Sequence, residues 1–202
     1  DVLQAFASYA RLLPAGGTLI FNQDDAGARE VARRIGKERG DLRLTYYGTG
    51  AEGPFRITKI ECAAGETQFR LQGFAEPFVL KIPGRHMAAN AAAAIALAVS
   101  LLAAEGRETG SREAASLREA LAAFRGSRRR SEVVGEAAGV LFVDDYAHHP
   151  TEIRATLEGL RSFYPDRRLL VDFMPHTYSR TQALLKQFGG CFEQADEVIL
   201  HR

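Results

Sequence analysis

Cysteine is scarce. The two in 202 residues, Cys62 and Cys191, stand far apart without a CxxC spacing, which excludes a thiolate zinc site and a disulfide framework and fits a reducing compartment. An excess of either charge is also missing: 26 Lys and Arg against 25 Asp and Glu leave a net charge of +1. No bulk electrostatic field therefore points to a nucleic acid or a membrane. The longest apolar run, within AANAAAAIALAVSLLAAEG, is alanine-rich and is expected to be a packed helix rather than a membrane span. The amphipathic opening, DVLQAFASYARLLP, has no basic leader or cleavage site, so no signal peptide is read there. No initiator Met opens the chain, and it is expected to begin within a longer protein. Short-period repeats and low-complexity blocks are absent. What remains is 46% hydrophobic and 25% charged, an ordinary globular balance, at a length that supports one large domain or two modest ones.

The apolar spacing of Leu3, Phe6, Ala7, Ala10 and Leu13 predicts a helix that Pro14 and Gly16-Gly17 end. GTLIFN reads as a buried strand, Asp24 and Asp25 open a second helix through Ile35, and LRLTYYGT returns as a strand. This alternation predicts a parallel sheet. From Phe55 to Pro83 the pattern changes to alternating apolar and polar positions, as in a small antiparallel insertion. A long helix is expected from about His86 to Ala104 with Ile95, Val99 and Leu102 as its stripe, and another over Ser111 to Phe124 with Ser111 as its N-cap. Gly126 and Ser127 ahead of an arginine run mark a boundary, giving units 1–126 and 127–202. GVLFVDDY, a helix from Pro150 carrying Ile153, Leu157, Leu160 and Phe163 on one face, RRLLVDFM, a helix from about Ser179 to Gln194, and DEVILH then read as β-α-β-α-β, half of a doubly wound fold.

Ligands of open parallel sheets bind outside the carboxyl ends of the strands, where helix N-termini present free N–H groups. VDDYAHHPTE, Val143 to Glu152, lies at such a place and gathers Asp144, Asp145, Tyr146, His148 and His149. Pro150 suits the first helical position and Glu152 the first turn. Taken alone, the loop reads equally as a solvated helix cap. MPHTYSRT, Met174 to Thr181, occupies the equivalent place after the next strand, where His176 and Arg180 suit an anionic group and Arg180 suits a carboxylate or phosphate fork. A surface arginine beside a Ser179 cap is the plainer reading. GRHMAAN puts His86 and Asn90 four apart at a helix start, where a carboxamide suits adenine and the helix end alone also accounts for both. Arg128, Arg129 and Arg130 form too short a run for a nucleic-acid patch and suit an interdomain hinge near phosphate or ribose. Adjacent His148 and His149 make a poor metal pair, and no metal ligand is assigned.

In order along the chain, IPGRHMAANAAAAIALA, FRGSRRRSE, VDDYAHHPTEI and MPHTYSRT resemble the Mur ligase family, the ATP-dependent amide ligases of bacterial peptidoglycan synthesis, and LLPAGGTLIFNQDD resembles its central-domain strand and turn. The resemblance implies an α/β chain: a partial central ATPase domain with the small β insertion, followed by a partial Rossmann-like C-terminal domain. It implies a cytoplasmic enzyme that uses ATP and Mg2+ to join L-alanine to UDP-N-acetylmuramate through an acyl phosphate, with no nucleic-acid partner and no membrane insertion. The alternatives are the family's murein-tripeptide recycling activity, which shares the DD-aromatic-AHHPT segment, and a non-catalytic nucleotide-binding module. The family's GxxGKT/S phosphate loop does not occur in these residues, so the chain is expected not to turn over alone, and most magnesium ligands are expected outside it. By position, the resemblance assigns His86 and Asn90 to adenine, Arg130 and Asp145 to the nucleotide, and His148 to the phosphates and the incoming amino acid. It assigns His149, His176 and Arg180 to substrate, with His148 and Arg180 in catalytic roles. Met87 stands where the family usually has Asn, and Ser131 where an aromatic is common.

Overall fold

The computed structural model describes residues 2–201. The chain divides into two compact units, one of Asp1–Ile60, Gln68–Val79 and Ala88–Ala122, the other of Glu61–Thr67, Leu80–Met87 and Ala123–Arg202.

In the first unit, helix α1 (Val2–Ala10) and helix α2 (Ala26–Glu38) flank strands β1 (Thr18–Asn22) and β2 (Arg43–Tyr47). The strands pair in parallel from Thr18↔Arg43 to Asn22↔Tyr47, as the alternation predicts. Ala7 and Ala10 of α1 meet Val31, Ile35 and Leu42 in a buried cluster. Asp25 is the N-cap of α2, its Oδ1 accepting from the Ala28 N–H at 2.7 Å. Strands β3 (Ile57–Ala63), β4 (Glu66–Leu71) and β5 (Phe78–Leu80) form one sheet in that order. Connections this short leave room only for antiparallel neighbours. The Phe69 and Phe78 rings stack at 5.3 Å within it.

Helix α3 (Arg85–Ala104) buries Ala88, Ala91, Ala92, Ile95 and Ala96. The expected stripe is therefore corrected: Val99 and Leu102 are only half-buried, because alanine rather than bulk lets α3 pack closely. By length and composition alone α3 is apolar enough to cross a membrane. Helix α4 (Ser111–Ala123) starts one residue earlier than expected. Ser111 is inside it, and the Gly110 N–H instead donates to Glu113 Oε2 at 3.1 Å, the carboxylate half of a capping box without a hydroxyl.

In the second unit, the segment from Ala123 carries a strand that the sequence did not suggest. Strands β6 (Glu132–Ala137) and β7 (Val140–Asp144) make an antiparallel hairpin with a bulge between Val133 and Gly135. Its turn residues Ala138 and Gly139 have φ of 50° and 80°, the sign that a two-residue hairpin turn requires. Helix α5 (Pro150–Phe163) follows and buries Ile153, Leu157, Leu160 and Phe163, the four residues of its predicted face. Strand β8 (Leu170–Phe173) pairs in parallel with β9 (Glu197–Leu200). The long helix expected over Ser179–Gln194 is instead two short ones, α6 (Tyr178–Ala183) and α7 (Leu185–Phe188), interrupted where Leu184 adopts φ −113° and ψ 15°. The turn after Phe188 carries Gly189 and Gly190 and lets Cys191 fold back beneath Ile153, Leu157 and Phe188. Cys62 and Cys191 are both free thiols.

Backbone meets backbone where α5 crosses the segment before α3. A Cβ added at Gly159 would lie 2.6 Å from Gly84 Cα and 2.8 Å from its nitrogen. Gly159→Ala is therefore expected to lower unfolding stability by about 1–3 kcal/mol in urea titrations. Gly135→Ala, with nothing within 4 Å of the added carbon, should stay within about 0.5 kcal/mol.

Candidate functional site

The loop between β7 and α5 is fixed by its own side chains. Pro150 is the first residue of α5 and His149 its N-cap, whose Nδ1 accepts from the Thr151 N–H at 3.3 Å. Glu152 Oε2 accepts from the N–H groups of His148 and His149 at 3.1 and 3.3 Å. Burial raises the Glu152 pKa, but these two N–H groups outweigh it and hold the carboxyl below its usual range, with help from His148 and Arg130. His148 Nδ1 lies 3.0 Å from the Tyr146 carbonyl oxygen. A carbonyl only accepts, so Nδ1 carries a proton and Nε2 is the nitrogen left to exchange one.

Asp145 joins this loop to the arginine run. Its Oδ2 accepts from the Ser131 N–H at 2.7 Å and from Ser131 Oγ at 3.2 Å, and its Oδ1 accepts from the Ala147 N–H at 2.7 Å. Arg129 adds a second clasp: its carbonyl accepts from the Tyr146 N–H at 2.8 Å, its guanidinium lies 3.4 Å from Asp144 and 4.6 Å over the Tyr146 ring, and its N–H donates to Glu132 at 2.7 Å. The sequence reading missed Arg129 and Ser131 as structural partners. Their signal was backbone, since both have positive φ, 57° and 50°.

His86 comes to the same place from the start of α3. Its ring lies over Gly84, at φ +109°, where a Cβ would fall 2.7 Å from His86 Nδ1. That nitrogen is buried without a hydrogen-bond partner among the described residues. Burial lowers the His86 pKa from its ordinary value; the Asp145 carboxylate opposes this and Arg130 reinforces it. Arg130, exposed, thus acts electrostatically on both His86 and Glu152, while its guanidinium makes no hydrogen bond or ion pair among the described residues. The structure therefore gathers His86, Arg130, Asp145, His148 and His149, with Glu152 among them. Asn90 is exposed, one turn along α3 from His86.

The loop after β8 is more open. Ser179 is inside α6, and the N-cap is Thr177, which makes no side-chain capping bond, so the expected Ser179 cap is corrected. His176 is exposed and Arg180 half-buried, and neither side chain has a partner among the described residues. Among the described residues no hydrogen bond or ion pair joins them to the Asp145 group.

In the first unit, the carboxyl ends of β1 and β2 carry a polar turn that sequence reading took only as a helix start. Asp24 accepts from the Thr49 and Gly50 N–H groups at 2.7 and 2.6 Å. Burial raises the Asp24 pKa, yet these bonds hold it below the usual carboxylate range. Among the described residues no three His, Cys, Asp or Glu side chains come together as a ready-made metal cluster.

A pH effect follows from His86. The unfolded ring titrates near 6.5 and the folded one below it, so between the two values the unfolded chain binds more protons and stability rises with pH. The urea midpoint is expected to fall as pH drops below about 6.5, and His86→Gln should flatten that dependence.

Residues 1–98 match the family described as Mur ligase middle domain, and residues 129–202 match Mur ligase, glutamate ligase domain. The chain is 46% identical over 201 residues to the UDP-N-acetylmuramate–L-alanine ligase of Treponema pallidum (strain Nichols), covering 100% of this chain and 42% of that protein. It is 39% identical over 202 residues to the same-named ligase of Streptomyces coelicolor, covering 99% and 41%. The chain thus spans about two fifths (42% and 41%) of the length of these relatives. Its fold is similar to the crystal structure of UDP-N-acetylmuramate-alanine ligase from Thermotoga maritima, with TM-score 0.68, 20% identity, and 96% of this chain and 47% of that one covered. Folylpolyglutamate synthetase from Lactobacillus casei is similar at TM-score 0.68 and 15% identity, with 98% and 55% covered. With one match over residues 1–98 and a second over residues 129–202, the chain belongs to the Mur ligase family.

Proposed function

We propose that the chain is the later part of the central domain and, from about residue 127, the first part of the C-terminal domain of a cytoplasmic ligase. That ligase uses ATP and magnesium to join L-alanine to UDP-N-acetylmuramate in peptidoglycan synthesis. The observation that carries this reading is the Arg130 guanidinium beside the Nδ1 of His86 and the Asp145 carboxylate, the first two without a bonded partner among the described residues. A cation, a buried ring nitrogen and an acceptor in one place suit the phosphate, base and ribose of a nucleotide. The names of the relatives supply the two substrates.

In this reading the muramate carboxylate attacks the γ-phosphate of ATP, giving an acyl phosphate and ADP. The amine of L-alanine then attacks the acyl carbon, the C–N bond forms as the C–O bond to phosphate breaks, and the amine loses a proton. Such chemistry rests on positioning and charge neutralisation rather than on a protein nucleophile. His148, whose Nδ1 is engaged by the Tyr146 carbonyl and whose Nε2 is left for a ligand, suits a place beside the phosphates and the amine. Arg180 and His176, whose side chains have no partner among the described residues, suit a substrate carboxylate, and His149 retains Nε2–H for substrate because its Nδ1 serves the helix cap. Asn90 is assigned to adenine.

The test is phosphate release from ATP with UDP-N-acetylmuramate by the protein that carries this chain together with the upstream residues of its relatives. Release is expected with L-alanine and not with the murein tripeptide; release with tripeptide alone would move the protein to the recycling activity. In the same assay Arg180→Ala should lower turnover by about 100-fold without shifting Tm, the scale of losing one positioned charge contact. Asn90→Ala should raise the KM for ATP and leave kcat nearly unchanged.

A further inference from the structure

Ser131 has left-handed backbone, φ 50°, which costs a non-glycine residue energy and persists only where the surroundings impose it. What imposes it is one atom. Ser131 directs both its N–H, at 2.7 Å, and its Oγ, at 3.2 Å, onto Asp145 Oδ2, and an extended backbone would turn the N–H away. Two residues earlier, Arg129 is also left-handed, at 57°, with its N–H on Glu132 and its carbonyl on the Tyr146 N–H. The doubled reversal hands this segment's donors and acceptors to the loop after β7. A carboxylate offers about four acceptor sites; Ser131 fills two and the Ala147 N–H, at 2.7 Å, a third.

We infer that Ser131 is a positioning residue, whose two donors hold Asp145 so that its Oδ1 keeps one acceptor site, enough for a single hydroxyl of a bound nucleotide. This rests on the reading of Asp145 as a nucleotide contact. It goes beyond that reading by giving a role to Ser131. Asp145 is thereby also the anchor of the Ala147–His149 backbone, so that displacing it moves the His148 ring along with the ribose contact.

The experiment uses the chain itself with ADP as the probe. Variants Ser131→Gly, which removes the hydroxyl and relieves the left-handed backbone, and Ser131→Ala, which removes the hydroxyl alone, are each made in the wild-type and Asp145→Asn backgrounds. Amide exchange at Ala147 reports the anchor, and calorimetry reports ADP affinity. Both serine variants are expected to speed Ala147 exchange and weaken ADP binding by about tenfold in the wild-type background, and to add almost nothing to Asp145→Asn. Unchanged Ala147 exchange in both variants overturns the inference, as does an equal loss of affinity in both backgrounds, since Ser131 would then act independently of Asp145. A wild-type chain that binds no ADP while Ala147 exchange still responds to Ser131 overturns the nucleotide reading and leaves the anchor standing.

Discussion

A carboxylate that leaves water must replace its hydration with donors, and in the second unit that requirement falls on Asp145. Its three hydrogen bonds come from two segments far apart in sequence, Ser131 and Ala147, so one side chain converts the end of β7 into a joint between the arginine run and the α5 cap. Bonds to a charged acceptor are worth about 1.5–3 kcal/mol each, and this joint holds the positive φ of Ser131. The His149 cap, the Glu152 carboxylate and the seat of His148 follow from where that joint fixes the loop. Arg130 lies next to it with its charge uncompensated by any bonded partner among the described residues.

Much of this was legible in the sequence where periodicity and special residues speak. Ile153, Leu157, Leu160 and Phe163 are spaced for one helical face and are all buried; Pro150 marks the first turn of α5 because its missing N–H costs nothing there. The parallel pairing of β1 with β2 follows from strand, helix, strand in a short span. The four ordered motifs carried the family. Legibility failed where tertiary context decides. Strand β6 has a glycine at its centre and a charged segment before it, so propensity gave no reason to continue a strand through Glu132–Ala137. Leu184 interrupts a helix in a stretch, Gln182 to Gln187, whose residues all favour one, and the buried faces of Phe188 and Cys191 account for the reversal that follows.

The candidate site shows the same division. Its titratable residues announced themselves by type, His86, Asp145, His148 and His149 among them. Their partners did not, because most are backbone groups: the N–H of Ser131, Ala147, His148 and His149, and the carbonyl of Tyr146. Nothing in residue type marks a backbone donor, and a left-handed arginine or serine has no propensity that predicts it. The Asp24 turn was missed for the same reason, as its donors Thr49 and Gly50 lie 25 and 26 positions away.

The approach of Gly159 to Gly84 also bears on how this sequence can drift. Gly84 holds φ +109° and lies beneath both the His86 ring and the α5 backbone, so it is constrained by conformation, by an imidazole and by another glycine together. A side chain at Gly159 would meet the Gly84 main chain, which has no rotamer to turn aside, whereas one at Gly84 would meet the His86 ring. Enlarging Gly159 therefore calls for a shift of α5 as a whole, so the crossing distance of this helix is set by a residue with no side chain.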